Sequence, residues 1–272
     1  MKTKGRINRK LLMFVLILGV LMLVMTIALL YLTLQQEENN RAITIDPDTM
    51  ELVQLEPPEN GDTIAIVDTS LGEFRFVLYP EYSPAAVKNF IDHAESGFYD
   101  GTYVFNSESG VYSYAGSKSR SGDMTEDNDE AGERVERELH QNLWPFKGAI
   151  CSIPTYSERT FKEKLLGGGT YYNGTRFAVL NTIELDEDTK QELLDNSASE
   201  ELGQAFVKQG GIPNLSQQMT IIGQTYEGLD VVEKLASLES ENNGYYKIPK
   251  EDVMINSVTI AEYGDDTESG EK

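Results

Sequence analysis

A run of twenty-four residues without a charge, Leu11 to Leu34, follows a short segment carrying Lys2, Lys4, Arg6, Arg9 and Lys10. At about 1.5 Å of rise per residue it reaches roughly 36 Å as a helix, enough to cross a hydrocarbon core of about 30 Å with some tilt. It exceeds the roughly 7–15 apolar residues of a secretory signal core, and neither a small-x-small cleavage pattern nor a lipoprotein cysteine follows it. An uncleaved signal-anchor is therefore expected at residues 11–34, a cleaved signal peptide being the competing reading. The basic residues 1–10 are expected in the cytoplasm and everything beyond the span outside the cell membrane. Past Leu34, 18 Lys and Arg stand against all 45 Asp and Glu of the chain, a net of −27. Such a surface is ill-suited to neutralising phosphates, which argues against a nucleic-acid partner. One cysteine, Cys151, and two histidines, His93 and His140, leave no Cys/His zinc set.

Residues 35–62 carry turn formers such as Asp46-Pro47-Asp48 and Pro57-Pro58 without sustained periodicity, and read as a linker. Residues 264–272 form an acidic tail, and the domain lies between, at 63–263. Within it, Thr63–Thr69 and Glu73–Tyr79 are β-branched and aromatic runs around Ser70-Leu71-Gly72, a hairpin signal. Ser83-Pro84 starts a helix with a capping side chain, Val87, Phe90, Ile91 and Ala94 form its apolar stripe, and Gly97 stops it. His93 lies off that stripe and is expected to be exposed. Further strands are expected near 148–153, 176–181, 219–223 and 253–260, and a helix over 229–238. Two more helices, 188–195 and 199–209, would make a charged insertion at about 185–211. Asp127, Asp129 and Glu138 match positions 1, 3 and 12 of a calcium loop, but the fifth-position ligand is missing, so a solvated acidic loop is the alternative. Cys151, between Ile150 and Ser152 in an apparent strand, is expected to be a buried, inert thiol.

The order of these pieces resembles the cyclophilin-type peptidyl-prolyl cis-trans isomerase family. Thr69-Ser70-Leu71-Gly72-Glu73, Pro84 to Phe90, Gly97-Phe98-Tyr99-Asp100-Gly101-Thr102, Asn173-Gly174-Thr175-Arg176-Phe177 and Gly223 to Val232 are similar to five family landmarks in family order. The resemblance implies a mainly β fold, a closed eight-stranded barrel capped by two helices, here with a helical insertion and an N-terminal transmembrane helix. It implies proline-containing or extended peptide segments as partners and no cofactor; the span at residues 11–34 adds the membrane as a second partner and makes exported proteins the source of the peptides.

The family's groove lies in a stretch like FHRVIPGFMIQGGD. Here Asn106 stands at the catalytic arginine's position, Val111 and Tyr112 replace the Phe-Met pair, and Tyr114 replaces the glutamine. Arg176 and Ala178 stand at a second glutamine and a phenylalanine, with Phe177 kept. Asn214 and Met219 replace a tryptophan and a histidine, with Leu215 kept. Rotation about an X–Pro bond faces a barrier of about 18–20 kcal/mol and needs a donor that strengthens its hold in the transition state, not a nucleophile. Losing one charge-assisted hydrogen bond costs about 1.5–3 kcal/mol, roughly ten- to a hundredfold in rate. Weak or absent isomerase activity is therefore expected, unless Arg176 swings into the vacant place instead of pairing with a carboxylate. The alternative function is a non-catalytic peptide-binding or scaffold domain, with Tyr112 and Tyr114 offering ring faces and hydroxyls to a peptide or else filling the barrel.

Overall fold

The computed structural model describes residues 9–39, 43–123, 135–158 and 170–265. It divides into two compact units, one containing the N-terminal helix and the other the sheet. Helix α1, Arg9–Asn39, contains a 19-residue apolar stretch, Met13–Tyr31, with a mean hydropathy of 3.0 and exposed side chains. Within it Thr26 Oγ1 donates to the Met22 carbonyl at 2.6 Å, so its hydroxyl needs no water. One such helix near an N-terminus fits an anchor or a signal sequence.

The second unit is built on β1 (Thr63–Thr69), β2 (Gly72–Leu78), β3 (Tyr103–Glu108), β4 (Tyr112–Ser117), β5 (Val135–Glu136), β6 (Ala149–Glu158), β7 (Thr170–Leu180), β8 (Thr220–Glu227) and β11 (Ile255–Glu262). The strands run β11-β1-β2-β8-β6-β7-β4-β3, with β5 paired to β7. A small hairpin, β9 (Ser240–Asn242) with β10 (Lys247–Pro249), stands apart from this sheet. The expected closed barrel is seen only as an open path of eight strands. Its ends, β3 and the residues before β11, meet at one isolated bridge, Tyr103 with Met254, flanked by Val104 N–H to Val253 O at 2.9 Å.

Strand alternation sorts the core into two layers, because successive side chains point to opposite faces. Ala65, Val67, Phe74, Phe76, Ile150, Phe177 and Ile222 join one cluster with α2 (Pro84–Glu95) and α5 (Leu229–Ala236). Their neighbours Ile64, Val77, Cys151, Ala178, Leu180 and Ile221 join a second. In the first, the Phe90 ring sits 5.2 Å from Tyr99 and 5.6 Å from both Phe76 and Phe177, so one α2 residue ties the helix to two strands. A third cluster brings Trp144, Phe146, Leu202 and Phe206 together around α4 (Glu200–Gln209), which with α3 (Glu187–Asn196) forms the expected insertion.

Several details differ from the sequence reading. Ser83 does not cap α2; its hydroxyl donates to the Ile221 carbonyl at 2.8 Å. Glu138 takes over, its carboxylate accepting the Ala85 and Ala86 amides at 3.2 and 2.8 Å, where the helix dipole favours an anion. His93 is half-buried rather than exposed, because it turns along the helix, its Nδ1 lying 2.6 Å from the Asn89 carbonyl and its ring edge-on to Phe98. The segment read as a linker packs on the body over its second half. Ile45, Met50 and Leu52 join the third cluster, and Gln54 is 5% exposed. Turn formers placed its bends, but the Gln54 amide provides the anchorage: Nε2 donates to Trp144 O and Gln224 Oε1, both at 2.9 Å, and Oε1 accepts the Trp144 amide.

Two substitutions check these anchors by urea unfolding of the full chain. Gln54→Leu leaves the Trp144 amide and Gln224 Oε1 without their partner and should cost about 2–4 kcal/mol. Glu138→Ala, which uncovers the first turn of α2, should cost about 1 kcal/mol.

Candidate functional site

The residues expected in a groove come from β3, β4, β7 and the loop before β8. β4 places Tyr112 and Tyr114 on one face, and their rings stack at 4.9 Å with planes 23° apart. Opposite Tyr114 on β7 stands Ala178, whose methyl leaves room for the phenol; opposite Tyr112 stands Leu180. Val111, Tyr112, Tyr114, Leu215 and Met219 are all half-buried and pack against the cluster that contains Ala178. The short 3-10 turn Pro213–Leu215 carries Leu215 into that cluster and leaves Asn214 exposed. Five half-buried positions separated by up to 108 residues of chain therefore pack against one apolar cluster, in which Ala178 is fully buried. Phe177 is a correction: it is 1% exposed in the other layer, 5.5 Å from Tyr99, since it alternates with Arg176 and Ala178 along β7.

The two polar candidates are both fully enclosed. Asn106 is 3% exposed, and its Oδ1 accepts the backbone amide of Lys247 at 2.8 Å. That bond belongs to a larger seam, in which the β9–β10 hairpin lies along β3. Ser240 Oγ donates to the Ser107 carbonyl at 3.2 Å, and the Lys247 ammonium pairs with Glu108. Arg176 is 2% exposed. Its Nη1 donates to the Gly122 carbonyl at 2.8 Å and its Nη2 to Ser117 Oγ at 3.3 Å, while the guanidinium lies 4.7 Å above the Phe105 ring. Gly122 has a positive φ of 72°, and a Cβ there would meet the Phe105 ring at 2.5 Å, so glycine is required where the chain crosses that ring.

Tyr246, on the hairpin, was not singled out from the sequence. Its ring stands edge-on to Phe105 at 5.1 Å and to Tyr114 at 6.4 Å, extending the row Arg176, Phe105, Tyr246. A Tyr245-Tyr246 pair beside Lys247 was the only signal available, and nothing local ties it to β3.

Of the calcium-loop candidates, Asp127 and Asp129 lie outside the described residues, and both Glu138 oxygens are engaged at α2. Among the described residues no group of three or more His, Cys, Asp or Glu side chains could hold a metal ion. Burial raises the Cys151 thiol above its ordinary value, and raises the Tyr79 and Tyr114 phenols, Tyr114 also through its neighbour Tyr112. Each group's folded-state value lies above its unfolded one, so the native state holds these protons more tightly. The stability they contribute is complete below pH 9 to 10, the ordinary values, and is lost as pH rises further. The full chain should therefore unfold at falling urea concentration above pH 9, and Cys151 should resist iodoacetamide at pH 8 until urea unfolds the domain.

Comparison with known proteins supplies the context for this geometry. Residues 64–260 match the sequence model of the family described as cyclophilin type peptidyl-prolyl cis-trans isomerase/CLD. A Staphylococcus saprophyticus protein, named as an inferred peptidyl-prolyl cis-trans isomerase, is 28% identical over 210 residues, covering 77% of this chain and 98% of its own. A Staphylococcus aureus protein of the same name is 25% identical over 204 residues, covering 75% and 94%. Among solved structures, a Cryptosporidium parvum cyclophilin type peptidyl-prolyl cis-trans isomerase aligns with a TM-score of 0.51 at 17% identity, covering 74% of this chain and 98% of its own. The same protein, crystallised in the presence of the dipeptide Ala-Pro, aligns at 0.50 and 16%. With the family match spanning well over half of the residues, this chain belongs to the cyclophilin-type peptidyl-prolyl cis-trans isomerase family.

Proposed function

We propose that this protein is a membrane-anchored cyclophilin whose domain faces the outside of the cell and binds extended, proline-containing segments of exported polypeptides, with isomerisation reduced or lost. The observation that carries the reading is the enclosure of Asn106. A catalytic donor must reach the prolyl nitrogen or the rotating carbonyl, and this side chain is neutral, 3% exposed and occupied by the Lys247 amide. Arg176 as a substitute would have to abandon two hydrogen bonds and its seat on Phe105. Its place supports a structural role, holding the Ser117–Gly122 turn against β7.

Binding is supported by the half-buried face of Val111, Tyr112, Tyr114, Leu215 and Met219. Aromatic rings with hydroxyl tips bury area at little entropic cost while still bonding a peptide backbone. The Ala-Pro dipeptide used with the Cryptosporidium relative is the shortest ligand that such a face would take. The anchor reading rests on the apolar stretch of α1 and the five basic charges that precede that stretch, which also orient the domain outward. In this reading the bridge between Tyr103 and Met254 is the seam that completes a barrel.

The test is NMR exchange of an Ala-Pro tetrapeptide with the full chain held in an amphipathic polymer. Exchange should be accelerated at least tenfold less than by a relative that keeps the arginine, and Arg176→Ala should leave that rate unchanged. Peptide-induced shifts should centre on Tyr112 and Tyr114 and vanish in Tyr112→Ala. Strong catalysis abolished by Arg176→Ala would replace this reading with a relocated-arginine enzyme.

A further inference from the structure

The insertion helices enclose a cavity of roughly 600 Å3, within the range of about 300–1,000 Å3 typical of ligand sites. Trp144, Leu193, Leu202 and Phe206 supply its apolar wall, and the exposed carboxylates of Glu184 and Glu192 stand at its rim. Neither Lys nor Arg is among its described lining residues. Two of the residues that line it carry buried polar atoms without a hydrogen-bond partner among the described residues: the indole Nε1 of Trp144, itself 4% exposed, and Oε1 of Gln217. Buried polar groups are normally satisfied, so an orphaned donor and an orphaned acceptor beside one cavity point to a ligand offering both. A peptide unit does so, its carbonyl accepting from the indole and its N–H donating to the glutamine once these two side chains turn their shielded polar atoms toward the cavity. Gln217 is also held at a φ of 62°, which a residue with a side chain rarely adopts.

We propose that this cavity is a second peptide subsite, which takes a large apolar side chain with its peptide unit, next to a Lys or Arg that meets the carboxylate rim. The inference rests on reading the Tyr112–Tyr114 face as a peptide groove, and it names the class of polypeptide that groove would serve. The two places are contiguous. Asn214 lines the cavity and the next residue, Leu215, packs into the groove cluster, so an extended chain can span both. The strongly acidic composition favours a cationic segment over an anionic one. Neither site needs the other to form, but engaging both raises the effective concentration of the second contact.

Trp144 is the only tryptophan of the chain, so its fluorescence reports on the cavity directly. The probe is N-acetyl-Phe-Lys-amide, titrated into the full chain in a tryptophan-free amphipathic polymer. A saturable change in emission is expected. Glu192→Lys, at an exposed position, should weaken the dipeptide at least fivefold, and Ala198→Phe, which fills an exposed part of the wall, should abolish its binding. Neither variant should alter the Ala-Pro tetrapeptide shifts at Tyr112 and Tyr114. No emission change at millimolar dipeptide, or a change that both variants leave intact, overturns the subsite. If the tetrapeptide binds and the dipeptide does not, the cavity inference alone fails. Dipeptide binding with a silent groove overturns the claim of a second subsite and the groove reading with it.

Discussion

A sheet that carries apolar side chains on both faces must have both faces covered, and this demand organises the whole second unit. Phe74, Phe76 and Phe177 alternate with Val77, Ala178 and Leu180 along the same strands. One layer is covered by α2 and α5, whose apolar stripes are the right length for the task. Among the described residues the only helical segments to meet the other are short 3-10 turns, which bring Val53 and Leu215 to it. It is covered by the Tyr112–Tyr114 pair, the loop before β8 and neighbouring chain, none of which closes over it completely. The candidate groove is thus what remains where the second layer is only half covered, and its apolar character follows from the packing rule rather than from a dedicated pocket.

The same logic accounts for the polar side chains enclosed within this domain. Asn106 pairs with the amide of Lys247, and the β9–β10 hairpin lies along β3. Arg176 is enclosed and held by the Gly122 carbonyl, Ser117 and the Phe105 ring. Ala178 and Tyr114 stand at paired positions of β7 and β4, a small side chain opposite a large one. Each of these side chains satisfies its polar or steric requirement within the domain.

Much of the fold was legible because it is written in periods. The 24-residue uncharged run, the hairpin around Ser70-Leu71-Gly72, the stripe of α2 and the insertion helices were all read within a few residues of their observed bounds. β3 and β4 were not read as strands, since Asn106, Ser107, Ser113 and Ser117 break their apolar alternation. The site was legible as a set of positions but not as an arrangement. Phe177 was placed in the groove because its motif is kept, yet strand parity sends it to the other layer. Gln54, in a stretch of turn formers, gave no sign of the buried amide bonds that fasten it to Trp144 and Gln224.

By itself the sequence determined what depends on neighbours along the chain: an apolar helix long enough for a bilayer, which segments pair or coil, and the absence of an arginine at position 106. Only the tertiary structure decided what depends on partners far away in sequence. Asn106 is sealed by a residue 141 positions on, and Gln54 meets a partner 170 positions on. Hydrogen-bonding capacity is a property of a single side chain, so composition reveals it. Whether that capacity faces a ligand or another part of the chain is fixed only when the fold brings the second group within about 3 Å.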